Sequence, residues 1–453
     1  MRSTGTFRLC ALLLVVCAVL SLSGCAILRI ANTPLERYDP ERGQRYQEAS
    51  QHRDPGRTVI YLAFSGGGTR AAALAYGVLE ELRDTEISVD GAPKSLLEEV
   101  DTISGVSGGS FPAAYYGLYG DRIFEEFEPR FLRKNIQGAL VLRALRPWNL
   151  VPLMTPWLSR SDLASRYYHE KVFDRATFAD LREARGPRIY INATDLSSGE
   201  RFTFTQGNFD VICSDIDVFP VATAVAASSA VPMLLSPVML KNYAGTCGYE
   251  PPQWVAEAVK NRHTDRRRNR SAKHFLAIQN AELKTYLHLV DGATSDNLGL
   301  RASIDFVMAA GSAEAARQIR GAPVPGRMAI IVVNAEVDPD PTIDLVSASP
   351  SLATLMNLLA GGQIRRYNFE TLLLAEELLH RWGRELSSDE HRVTTHMIDV
   401  SFKQLEDKAE RLYFNRLPTN FNLSDEVVDR LREVGRRLLR DSPDFQRLVQ
   451  ELR

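Results

Sequence analysis

Two short apolar runs, each ending in a glycine-rich turn that opens onto a helical pattern, constrain this chain more than any other feature. The first runs from Thr58 to Phe64, β-branched and aromatic, into Gly66-Gly67-Gly68 and then Arg70 to Arg83, rich in Ala and Leu at helical spacing. The second runs from Val100 to Ser104 into Gly105-Val106-Ser107-Gly108-Gly109 and an apolar stretch from Phe111 to Leu118. Further strands are expected over Arg188 to Thr194, Arg201 to Thr205, Tyr286 to Val290 and Met328 to Val333, with helical segments between many of them. Strands that alternate with helices call for a mostly parallel sheet covered on both faces, a three-layer α/β/α core.

The chain has 453 residues, and single cores usually stop growing at roughly 250–300 residues. One large α/β domain over 57–345 is therefore expected, followed by a helical C-terminal region over 346–453. Leu352 to Arg366, Tyr367 to Arg384, Ser401 to Arg411 and Asp425 to Leu439 all read as amphipathic helices there. Arg262 to Lys273, with Arg266, Arg267, Arg268 and Arg270, reads as a solvated basic loop ahead of a rest for anionic lipid headgroups. Leu150 to Leu158, with Trp148 and Trp157, reads as core ahead of part of an acyl-binding lid. A composition of 45% hydrophobic and 24% charged residues excludes disorder.

The chemistry-bearing signals cluster at the two turns and at one later strand end. Gly105-Val106-Ser107-Gly108-Gly109 has the G-x-S-x-G spacing of a nucleophile elbow, and the strand before it and helix after it are what that motif requires. Gly66-Gly67-Gly68-Thr69-Arg70 offers backbone N–H groups at a helix start, a preorganised cradle for a developing oxyanion. A dinucleotide-binding turn is the rival, because Gly66, Gly68 and Ala71 satisfy G-x-G-x-x-[GA] and Asp90 stands near the place of a ribose-binding acid. That rival leaves the serine elbow unexplained. None of the eight histidines sits in a suggestive setting, whereas the strand from Tyr286 runs into Asp291-Gly292-Ala293 and places a carboxylate at a strand end.

Together these pieces resemble the patatin-like phospholipase family. The glycine stretch with its trailing basic residue, the elbow serine Ser107, the segment Ala226 to Pro232 and the D-G-[AG] motif at Asp291-Gly292-Ala293 follow the family's order, across about residues 58 to 310. The resemblance departs at Ala71, where the family often carries a glycine. It implies a serine acyl hydrolase of phospholipase A or lysophospholipase type, with Ser107 as nucleophile and Asp291 as base in a Ser–Asp dyad. It further implies an oxyanion hole from Gly66, Gly67, Gly68, Thr69 and Arg70, with a phospholipid or lysophospholipid substrate and no cofactor or metal. Arg70 is then placed to steer anionic lipid or to hold the loop, against the plainer reading of a surface arginine. An aspartate near its ordinary value of about 3.9 is a poor base toward serine, so burial is expected to raise it. A catalytically silent lipid- or partner-binding envelope lipoprotein is the alternative, and an acyltransferase would use the same dyad.

The N-terminal 24 residues carry Arg2 and Arg8, then an apolar run from Leu9 to Leu22 that is short for a membrane span, and read as a signal peptide. Leu22-Ser23-Gly24-Cys25 resembles a lipoprotein lipobox, which implies lipid on Cys25 and a tether over 25–56. Ala26 after the cysteine favours the outer membrane, facing the periplasm. Removing Arg2 and Arg8 from 54 basic residues leaves 52 against 56 acidic, a balance that does not suggest nucleic acid. Cys213 and Cys247 are the cysteines left in the folded body; an exported compartment makes a disulfide between them reasonable, and neither has the neighbours of a zinc ligand.

Overall fold

The computed structural model describes residues 31–41, 43, 58–89, 91–155, 158–231, 234–338, 345, 347 and 351–453. The expectations for the signal peptide, Cys25, Asp90, Trp157 and Pro232 lie outside the described residues. The main sheet is built from β1 (Thr58–Phe64), β2 (Val100–Val106), β3 (Arg188–Asp195), β4 (Arg201–Thr203), β5 (Val238–Lys241), β6 (Tyr286–Asp291), β7 (Arg327–Asn334) and β8 (Thr394–Ser401). The strand order is β8-β7-β1-β2-β3-β6-β5, with β4 paired to β3. The β8 to β3 stretch is parallel throughout, while β6 runs antiparallel to β3 and to β5.

The helices used below are α1 (Gly68–Asp84), α2 (Ser110–Tyr119), α3 (Ile136–Ala144), α4 (Pro147–Leu153), α5 (Arg160–Lys171), α6 (Val221–Ser228), α7 (Arg266–Gln279), α8 (Arg301–Ala310), α9 (Leu352–Leu386), α10 (Lys408–Asn415), α11 (Asp425–Arg440) and α12 (Pro443–Leu452). Successive residues of a strand point to opposite faces, and β1 shows how the three layers follow. Ile60, Leu62 and Phe64 pack into the larger core with α1, α2, α6 and α11. Tyr61 and Ala63 face the other way, against Ile330, Val332 and the α9 residues Ala375, Leu378, Leu379 and Trp382. The α/β/α core is therefore as expected, with an antiparallel margin.

The C-terminal region is mostly helical, but it is woven into the core. The helix expected over Ser401 to Arg411 is corrected: β8 occupies Thr394–Ser401 as the edge strand, and α10 begins only at Lys408, where Asp407 caps it. His396, Ile398 and Val400 are buried on β8, an alternation of half-buried strand type that one histidine obscures. The two helices expected from Leu352 are one, α9. The α11 helix crosses α1 at backbone distance: a Cβ on Gly77 would lie 2.1 Å from Arg432 O, and one on Gly435 would lie 2.6 Å from Leu74 O. Arg432–Glu80 and Arg436–Glu81 ion pairs border that crossing.

Three other expectations change. Arg266 to Gln279 is a helix whose first turn is capped by Asp265, which accepts from Arg268 N–H at 2.9 Å. The tether expected over 25–56 is docked where it is described: Asn32 donates to Lys241 O and accepts from Lys241 N–H, covering the β5 edge. Leu35 and Tyr38 N–H groups donate to Cys213 O and Cys247 O. Cys213 and Cys247 are disulfide-bonded beneath this strap. Of the residues expected as core around Leu150, Leu158 is buried, whereas Trp148, Leu150, Val151 and Met154 are exposed, a point taken up below.

Candidate active site

Ser107 sits where β2 breaks into α2, at φ 50°, a left-handed conformation that a residue with a side chain rarely adopts. The surroundings enforce it. The Ser107 N–H donates to Ser228 Oγ at 2.8 Å, and the Ser228 hydroxyl donates in turn to Asn192 O at 2.6 Å. Gly105 and Gly109 let the chain turn in almost no space: a Cβ on Gly105 would lie 2.6 Å from Ser110 Cα, and one on Gly109 would lie 2.6 Å from Phe64 O.

Asp291 ends β6 opposite Ala193 of β3, next to the residue that pairs with Val106 at the end of β2. The antiparallel β6 enters from beyond the carboxyl edge of the parallel strands and stops level with the elbow, which delivers its last side chain to Ser107. The Ser107 hydroxyl donates to Asp291 Oδ2 at 2.7 Å. Ala293 N–H donates to the other oxygen, Oδ1, at 2.9 Å. Asp291 O accepts from Thr194 Oγ1 at 2.8 Å, and Gly292 N–H donates to Ser228 O at 3.1 Å. A Cβ on Gly292 would lie 2.3 Å from Asn192 O, so the turn after the aspartate admits only glycine. Ser107 and Asp291 are both buried. Burial pushes the Asp291 carboxyl up to about 6, against the opposing pull of the Ala293 N–H and Ser107 hydroxyl.

The glycine turn after β1 lies against the elbow. A Cβ on Gly66 would sit 3.3 Å from Ser107 Cβ, and one on Gly108 would sit 2.0 Å from Gly68 O. Only part of the expected oxyanion cradle is open. Gly66 N–H donates to Asn297 O at 3.1 Å and Thr69 N–H to Asn420 O at 2.8 Å. The N–H groups of Gly67, Gly68 and Gly108 have no protein acceptor among the described residues. Gly66 and Thr69 are thus corrected from oxyanion donors to braces of the loop.

Arg70 is corrected as well. It is neither at the surface nor aimed at lipid: its guanidinium is buried and donates to Ala335 O, Leu417 O and Thr419 Oγ1 at 3.0, 2.7 and 3.0 Å. Burial lowers its pKa only to about 10, so it stays charged at neutral pH. The reading as a loop-holding residue is the one the geometry bears out. On its other side the turn is closely covered: a Cβ on Gly68 would lie 2.3 Å from Asn420 O.

Sequence reasoning singled out the segment holding Ser228 without a role for it, and missed Asn192, Thr194, Asn297 and the 417–420 brace. Ala-Ser-Ser-Ala carried a signal for the first; the others are ordinary polar residues until folding brings them together. A second buried carboxylate, Asp296, is also pushed up to about 6 by burial. Its oxygens accept from the N–H groups of Gly299, Leu300 and Arg301, so it caps the start of α8.

A strained serine on a strand-to-helix turn, hydrogen-bonded to a buried carboxylate beside open backbone donors, brings together a nucleophile, a base and donors of the kind that acyl-transfer chemistry uses. The family profile described as "Patatin-like phospholipase" matches residues 62–304, more than half of the chain, and takes in Ser107 and Asp291. The chain belongs to the patatin-like phospholipase family, a family of lipid ester hydrolases. Among curated proteins it is similar to "Uncharacterized protein YqhO" of Bacillus subtilis (strain 168), 28% identical over 197 residues. That match takes in 40% of this chain and 59% of the relative, so the chain spans less than two thirds of that relative's length. Among solved structures it is similar to human GIVD cytosolic phospholipase A2, with 14% identity, a TM-score of 0.43, and 95% and 68% of the two chains covered. VipD from Legionella pneumophila follows at 12% identity and a TM-score of 0.32, with 94% and 71% covered.

Proposed function

We propose that the protein cleaves carboxylic esters of phospholipids or lysophospholipids through a Ser107–Asp291 dyad, in the manner of a phospholipase A or lysophospholipase. The observation that carries this reading is the 2.7 Å hydrogen bond from the Ser107 hydroxyl to the buried Asp291 carboxylate. In the acylation step Ser107 Oγ attacks the ester carbonyl carbon while its proton passes to Asp291 Oδ2. The carbonyl oxygen becomes an oxyanion, for which Gly67, Gly68 and Gly108 N–H groups are the available donors. Collapse breaks the ester C–O bond, and the leaving alkoxide takes the proton back from Asp291. Water, deprotonated by Asp291, then attacks the acyl-enzyme and releases the fatty acid with Ser107 restored.

The disulfide between Cys213 and Cys247 suits an exported compartment. In this reading Cys25 carries lipid and holds the enzyme at the outer membrane facing the periplasm, in the plane of its substrate. The test is release of fatty acid from vesicles of phosphatidylcholine or lysophosphatidylcholine, comparing wild type with Ser107→Ala. Wild type is expected to release fatty acid and Ser107→Ala to release none above the uncatalysed rate. Acylated acceptor alcohol in place of free acid would assign acyl transfer, and no product with either lipid would overturn the reading.

A further inference from the structure

Of the stretch expected to be core, Leu158 is buried, but Trp148, Leu150, Val151 and Met154 join residues of the preceding helix in an exposed apolar arm. Helices α3 and α4 present Val141, Leu142, Leu145, Trp148, Leu150, Val151 and Met154 to solvent, with Leu142 69%, Trp148 68% and Met154 89% exposed. Scattered exposed leucines need no explanation, but a contiguous apolar arm carrying a tryptophan does. From the sequence, Pro129 to Ser161 contains no acidic residue and six basic ones, Arg130, Arg133, Lys134, Arg143, Arg146 and Arg160. Arg146 stands over the Trp148 ring at 5.7 Å, and no ion pair engages it among the described residues. Arg130, Arg133 and Arg143 are taken up by ion pairs to Asp174, Asp429 and Glu170, which leaves the exposed Lys134 and Arg146 as the cations beside the apolar side chains and the interfacial tryptophan, a combination that matches the chemistry of an anionic lipid surface rather than that of a protein partner. No helix among the described residues is long and apolar enough to cross a membrane.

Its place in the fold agrees. Gln137 N–H at the base of α3 donates to Phe421 O, and the adjacent Asn420 O accepts from Thr69 N–H beside the open donors of the site. At its other end the arm leads into α5, where the Ser161 hydroxyl donates to Ser236 O just ahead of β5. Ala31 N–H donates to Met239 O on that same strand. Cys25 lies six residues before Ala31, a reach of about 20 Å for an extended chain. The described strap at Ala31 and the C-terminal end of the arm at Ser161 therefore both meet the chain at 236–239.

We infer that residues 141–154 form a membrane-docking arm that enters the headgroup region of an anionic bilayer and brings the Ser107 site to it. This rests on the lipid hydrolase reading, and the test separates the two. Full-length protein is mixed with phosphatidylcholine–phosphatidylglycerol vesicles whose acyl chains carry bromine, which quenches tryptophans that reach them. Wild type is expected to show a quenched, blue-shifted component that Trp148→Phe lacks. Arg146→Glu is expected to weaken vesicle binding by at least about fivefold at low salt, from the contribution of one cation near an anionic surface. Leu142→Asp with Val151→Asp is expected to lower hydrolysis of vesicle phospholipid at least tenfold and leave hydrolysis of a soluble short-chain ester within twofold. An unquenched Trp148 in vesicles that the enzyme hydrolyses would overturn the docking arm. If neither the soluble ester nor the vesicles are hydrolysed, the enzymatic reading fails, and the quenching alone decides the arm.

Discussion

Asp291→Asn should make this protein more stable and inactive, and the gain should depend on pH. In the fold the carboxyl is buried and pushed up to about 6, whereas in an unfolded chain it titrates near its ordinary 3.8. Between those values the folded state holds a proton that the unfolded state has lost. The stabilisation from the neutral carboxyl is fully present below about pH 3.8 and lost as pH rises through about 6. Two units at 1.36 kcal/mol each set the cost of ionising Asp291 in place at about 3 kcal/mol. Asn is near isosteric with the neutral acid and never ionises. Urea unfolding of wild type and Asp291→Asn at pH 4.5 and pH 8 measures the difference. The variant should gain about 1 kcal/mol or less at the lower pH and about 2–3 kcal/mol at the higher. An equal effect at both pH values would refute the claim that desolvation of this carboxylate dominates, as would a loss confined to pH 8.

The same shift sets the pH–rate profile: log kcat/KM should rise with unit slope to about pH 6 and level off above it, and a flat profile from pH 4 to 9 would contradict Asp291 as base. Ser228→Ala removes the acceptor of Ser107 N–H and the donor to Asn192 O; kcat/KM should fall about 10- to 100-fold, in line with about 1–3 kcal/mol for unpaired buried groups. Circular dichroism should stay unchanged, and a variant of wild-type activity would show that the elbow holds itself. Ending the chain at residue 350 strips away β8, the α11 cover of α1 and the 417–420 acceptors of Arg70 and Thr69; the product should be insoluble, and a soluble active fragment would show the region to be an accessory.

What could be read in advance was what the sequence encodes locally. Thr58–Phe64 and Arg327–Asn334 are apolar enough to announce buried parallel strands, and Gly105 to Gly109 and Asp291 to Ala293 carry their turns in adjacent residues. The direction of β6 was not legible, because pairing with Ala193 to Asp195 is decided by partners about 100 residues away in sequence. Nor was β8, an edge strand with alternating Thr, His and Asp among its apolar residues. Arg70 shows the same boundary at the site. Its position beside the glycines was plain, but its burial depends on carbonyls at Ala335 and Leu417. The arm around Trp148 was misread for the opposite reason: apolar side chains normally mark a core, and here nothing in the described fold covers them.

The dyad is tested most directly by intact-mass analysis of the full-length protein after exposure to a long-chain fluorophosphonate, which requires no knowledge of the natural lipid. Wild type should gain a single adduct, located on Ser107, that is absent in Ser107→Ala and forms much more slowly in Asp291→Asn. A folded wild-type protein that gains no adduct across pH and detergent, or one labelled equally in Ser107→Ala, would contradict the account.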